Sequence, residues 1–199
     1  MTAITRPASP PGNPARARLE RARTALLVVD MQEKLLPVIE EQEALRRRTV
    51  LLMRAAGILS IPVLLTTQYR KGLGDVVPDV RTSAPDAAPI DKVTFGCFGS
   101  EDIAAWFTAQ PERDQLLVSG IETHICVMQT VMGALERGLA VHVATDAVGA
   151  RRSAEHLLGL ARMERMGAVL SGAEMAIYEL LERAGTDEFR AILRLIVGE

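Results

Sequence analysis

A chain of 199 residues with 48% apolar side chains has the length and the core material of one ordinary domain. Its net charge of −2, with no basic cluster beyond the N-terminal region, argues against nucleic acid as a partner. No apolar run approaches the ~18 residues of a membrane span, and the two cysteines, Cys97 and Cys126, fall in no metal or disulfide spacing, which suits a reducing cytoplasm.

Residues 1–21 hold four prolines, four arginines and small residues without apolar periodicity. They read as a mobile tail ahead of a single domain over 22–199, and they lack the apolar centre of a signal peptide. Thr24 to Val29 is a continuous apolar run, as in a central parallel strand buried on both faces. It ends at Asp30, a carboxylate at the rim where open α/β sheets bind ligands. The same residue also reads as a plain turn or helix-cap aspartate. A helix is predicted over 40–60, with Leu45, Thr49, Leu52, Ala56 and Leu59 facing inward. Pro62 to Thr67 is a second strand, 68–75 a glycine-containing loop and 76–90 an irregular connection with three prolines. Ile90 to Thr94 is a short third strand carrying Lys92. A helix over 101–109, capped by Ser100, leads to a fourth strand over 116–119. A tight turn at Ser119-Gly120 and a helix over 124–137 follow. A fifth strand over 140–144 ends at Thr145-Asp146. A helix over 151–166, a sixth strand over 168–170 and helices over 173–184 and 187–196 complete the chain. Strands alternating with helices imply βα units, right-handed crossovers and a mostly parallel α/β sheet.

Asp30, Lys92 and Cys126 each fall near the C-terminal end of a different predicted strand, and in a doubly wound sheet those ends share one rim. Only three of the 23 basic residues are lysines, so Lys92 stands where the chain otherwise uses Arg; lysine differs in being a compact point charge that can lose its proton. Cys126 lies in the first turn of a helix, where the unpaired N–H groups and the macrodipole favour a thiolate. On spacing alone a packed core thiol is the stronger reading, and the rest of the chain changes that balance. Together the three could run covalent chemistry. Asp30 takes the thiol proton, Lys92 holds the charge, Cys126 attacks a carbonyl carbon, and backbone N–H groups before it receive the oxyanion. His124, two residues before Cys126, does not face it on a helix. His142 and Cys97 read as packing residues, and Asp146 as the cap of the turn that follows it.

The segments Leu-Leu-Val-Val-Asp-Met-Gln (26–32), Thr-Gln-Tyr-Arg-Lys-Gly-Leu-Gly (67–74), Lys-Val-Thr-Phe-Gly-Cys-Phe (92–98) and Ser-Gly-Ile-Glu-Thr-His-Ile-Cys-Val-Met-Gln-Thr (119–130) resemble the isochorismatase-like cysteine hydrolases. Val-Ala-Thr-Asp-Ala-Val (143–148) and Arg-Met-Glu-Arg-Met-Gly-Ala (162–168) fit as well. The resemblance implies a three-layer α/β/α, Rossmann-like fold with a six-stranded parallel sheet of order 3-2-1-4-5-6. It implies an Asp–Lys–Cys triad, here Asp30, Lys92 and Cys126, and a cis peptide joining Ile121 and Glu122 at the oxyanion site. Gln32, Gln68 and Phe95 are the candidates to meet a small-molecule substrate. The nicotinamidase branch holds zinc through an Asp-x-His pair and a further His near strand two; the three histidines here, His124, His142 and His156, leave no match, so neither metal nor cofactor is expected. Isochorismatases proper often lack the cysteine, so its presence points to amide-type acyl chemistry ahead of vinyl-ether hydrolysis or a non-catalytic scaffold. Family membership also implies a homo-oligomer.

Overall fold

The computed structural model describes residues 18–198. Six strands form one parallel sheet in the order β3-β2-β1-β4-β5-β6. They are β1 Thr24–Val29, β2 Val63–Gln68, β3 Ile90–Lys92, β4 Gln115–Ile121, β5 Ala140–Gly149 and β6 Val169–Ser171. The helices are α1 Gln42–Ile58, α2 Arg70–Leu73, α3 Pro78–Ser83, α4 Glu101–Thr108, α5 Met128–Glu136, α6 Ser153–Arg165, α7 Ala173–Leu181 and α8 Asp187–Val197. The order reverses at β1, which pairs with β2 on one side and β4 on the other.

Every residue of β1 is buried, because both of its faces are covered. Leu26 and Val28 face a core built with α1, α7 and α8. Leu27 and Val29 face a second core built with α4, α5 and α6. The result is three layers.

Several boundaries differ from the sequence reading. The tail expected over 1–21 lies outside the described residues as far as 17, but residues 18–21 belong to the domain. Leu19 is wholly buried in the core, and the Glu20 amide donates to Gln115 Oε1. Ser119 and Gly120 form no turn; β4 runs through them to Ile121. Gly120 sits at φ +114° directly against β1, where a Cβ would come within 2.1 Å of the Val29 carbonyl oxygen. The glycine marks a close approach of backbones rather than a reversal. β5 also runs on, to Gly149: its pairing with β4 breaks after Val118 and resumes at Gly120 with Val148. Thr145 and Asp146 therefore interrupt a strand instead of ending it. Asp146 accepts from the Ala173 amide at 2.7 Å, capping α7 rather than its own turn. In the expected loop 68–75, Gln68 belongs to β2 and α2 makes one helical turn. In the proline-bearing connection, Pro78 opens α3, a position where its missing N–H costs nothing.

Candidate active site

Strand order explains how three distant residues meet. β1 delivers Asp30 at its C-terminal end, wholly buried and in the left-handed backbone region at φ 52°. Lys92 is the last residue of β3, two strands away, in register with Gln68 of β2. Its side chain crosses β2 to reach the carboxylate, Nζ donating to Asp30 Oδ2 at 2.7 Å, with both side chains 0% exposed. An ion pair taken out of water persists only when its remaining hydrogen-bonding capacity is met. Here Nζ also faces Gln68 Oε1 at 2.8 Å and the carbonyls of Phe95 and Thr94 at 3.2 and 3.3 Å. Three ammonium protons thus have four acceptors, all from the protein. On Asp30, the other oxygen accepts from the Thr66 hydroxyl at 2.7 Å.

Cys126 comes from the turn after β4. The Ile121–Glu122 peptide is cis. Thr123–Val127 then forms a π-helical turn, closed by the Val127 amide on the Glu122 carbonyl at 3.2 Å, before α5 begins. Glu122 is pinned outside this turn, accepting from the Arg151 amide and from Arg151 Nε. Cys126 is 7% exposed and lies beside the Asp30 carboxylate, whose charge acts on its thiol. The helix-terminus argument expected a thiolate. The opposite holds: burial, followed by the charge of Asp30, pushes the thiol up to about 12 against the weaker pull of Lys92. The resting group is a neutral thiol.

Cys97 packs behind this cluster, wholly buried. Burial pushes it up to about 11. Its backbone N–H donates to Thr130 Oγ1 at 3.0 Å, and Thr130 is one turn beyond Cys126.

Gln32, Gln68 and Phe95, the residues expected to meet substrate, have protein partners around the cluster. Gln32 is wholly buried, and its amide is committed to backbone: Nε2 donates to the carbonyls of Gly74 and Gln68, and Oε1 accepts from the Gln68 amide at 2.6 Å. Gln68 in turn holds Lys92 through Oε1 and donates Nε2 to the Val93 carbonyl. The two glutamines form a chain that ends on Lys92. Phe95 is 54% exposed while its carbonyl accepts from Lys92. Thr66 and Thr130 were absent from the sequence reading. The one available signal for Thr66 was a hydroxyl inside an otherwise apolar strand, one position before its predicted end. Among the described residues, no three His, Cys, Asp or Glu side chains gather as a metal site.

Comparison with known proteins bears on the family and the fold. The isochorismatase domain profile matches residues 24–175. A secreted isochorismatase effector, Isc1, of Phytophthora sojae is 35% identical over 90% of this chain and 87% of its own length. The solved structure of the MAR1 ribonuclease from Caenorhabditis elegans superposes with a TM-score of 0.85 at 34% identity, covering 91% of this chain and 93% of that one. The YcaC gene product of Escherichia coli, described as an octameric hydrolase of unknown specificity, gives a TM-score of 0.85 at 26% identity and covers 91% of both chains. With the profile spanning β1 to the start of α7 and the six-stranded order shared, this chain belongs to the isochorismatase family.

Proposed function

We propose that this protein is a cysteine hydrolase of a small amide-type substrate, acting through a thioester. The observation that carries the reading is the buried Asp30–Lys92 ion pair, closed by protein acceptors, beside Cys126, which is 7% exposed and whose thiol feels both charges. Asp30 accepts the thiol proton as Sγ attacks the carbonyl carbon. Backbone N–H groups of the Ile121–Cys126 turn receive the oxyanion. The C–N bond breaks, and the leaving amine takes the proton from Asp30. A water then gives its proton to Asp30 and its oxygen to the thioester carbon. The acid leaves and Cys126 regains its proton. Lys92, with its donors all taken up by protein acceptors, works through its charge: it holds the Asp30 carboxylate in place and offsets the thiolate. A cluster whose three members are 0%, 3% and 7% exposed admits a small molecule more readily than a polymer.

The two unpaired cysteines fit a reducing, cytoplasmic setting. The octameric relative, together with exposed Leu157 and Leu158 on α6, supports a homo-oligomer. Screening a panel of small amides with Cys126→Ala and Asp30→Ala tests the mechanism. Each variant is expected to lose activity by about a thousandfold or more while staying folded. Turnover retained by either one overturns the mechanism, and full activity on isochorismate in Cys126→Ala would move the assignment to vinyl-ether hydrolysis.

A further inference from the structure

Asp30 needs more than Lys92 to act as a base, because one contact leaves a carboxylate free to rotate about its Cβ–Cγ bond. Thr66, on the neighbouring strand β2 and 1% exposed, meets Asp30 at two points. The Asp30 backbone N–H donates to Thr66 Oγ1 at 3.3 Å, and the Thr66 hydroxyl donates to Oδ1 at 2.7 Å. A hydroxyl carries one proton and two lone pairs. With the proton on Oδ1, its oxygen remains to accept the Asp30 amide. The backbone thus holds the O–H pointing at the carboxylate. Oδ2 stays with Lys92.

We propose that Thr66 is a positioning residue, fixing Oδ1 so that the Asp30 carboxylate faces Cys126 in a single orientation. This rests on the reading of Asp30 as the base for Cys126. Valine replaces threonine with almost the same shape and no hydroxyl.

The experiment follows Cys126 alkylation by iodoacetamide in the full chain from about pH 4 to 10, read by peptide mass spectrometry, and needs no substrate. Wild type is expected to react at a nearly level rate across neutral pH, assisted by Asp30. Asp30→Asn should leave a rate climbing about tenfold per pH unit, as for an unassisted thiol. Thr66→Val should lower the rate at pH 7 about tenfold, and Thr66→Ser should restore it. A rate unchanged in Thr66→Val, or lowered equally in Thr66→Ser, overturns the assignment. If Thr66→Val does not melt cooperatively, Thr66→Ala carries the same expectation. An Asp30→Asn profile identical to wild type removes the base reading and the Thr66 proposal with it. A level profile lost in Asp30→Asn while Thr66→Val keeps the wild-type rate removes only the latter.

Discussion

A buried thiol keeps its proton to a higher pH than an exposed one, and Cys97 and Cys126 do so by about 2 and 3 pH units from an ordinary value near 9. The consequence for stability has a definite sign. In the range from about 9 to 11 the unfolded chain gives up the Cys97 proton and the folded chain keeps it. The stability this contributes is complete below pH 9 and is lost as the pH rises toward 11. The slope reaches at most about 1.4 kcal/mol per pH unit per thiol. Cys97→Ala removes one of the two, so its stability should decline less steeply than wild type over that interval, by up to that amount. Urea unfolding at several alkaline pH values measures the difference, and parallel curves would sink the account. Asp30, Lys92 and Cys126 could be brought together from the sequence because each lies near the C-terminal end of a different predicted strand. The protein partners of Gln32 and Gln68 could not be read, and Thr66 was missed, for one reason. Their partners are a backbone carbonyl, an amide or a carboxylate brought in by another strand or by the loop at 68–74, and no periodicity reports a hydrogen-bond partner.

Among the elements, β4 carries the site, and Gly120 decides whether it can lie beside β1. An added Cβ would stand 2.1 Å from the Val29 oxygen and 2.5 Å from its nitrogen, both backbone atoms of a fully buried strand. Neither side can yield without breaking the ladder that delivers Asp30 and Cys126. Gly120→Ala is therefore expected to cost about 4 kcal/mol or more. Gly138 makes the control, with φ +80° but nothing within 4 Å of an added Cβ. Gly138→Ala should cost only the left-handed backbone penalty, about 1–2 kcal/mol. Equal urea midpoints for the two variants would refute the close-approach argument. The sequence pattern placed all six strands, because buried parallel strands are apolar throughout and the helices between them are periodic. It misplaced the ends of β4 and β5. Gly120 and Thr145-Asp146 have the composition of turns, and only the neighbouring backbone shows that pairing continues past them.

At the scale of the whole molecule, the N-terminal edge of the domain ties the two ends of the chain to the foot of the sheet. Leu19 is 0% exposed within the core formed by α1, α7 and α8, and Arg18 pairs with Glu182 at 2.9 Å. Gln115, also 0% exposed at the start of β4, takes most of its side-chain bonds from this segment: Oε1 accepts from the Glu20 amide as well as from the Thr24 hydroxyl, and Nε2 donates to the Arg18 carbonyl at 2.9 Å. The Arg18–Glu182 pair is exposed on both sides and adds little. Leu19 and Gln115 account for the effect. Losing a buried leucine costs about 2–3 kcal/mol, and orphaning a buried amide about 1–3 kcal/mol. A chain that begins at Arg18 should therefore be more stable than one that begins at Arg23 by about 4 kcal/mol, a difference of roughly 10 °C or more in melting temperature for a domain of this size. Leu19→Ala in the full chain should reproduce about half of it. The sequence reading put residues 18–21 in the tail because a single leucine among arginines has no period to reveal it, whereas its burial depends on α7, more than 150 positions away. Equal melting temperatures for the two shortened chains would show that these contacts contribute nothing and that the domain begins at β1.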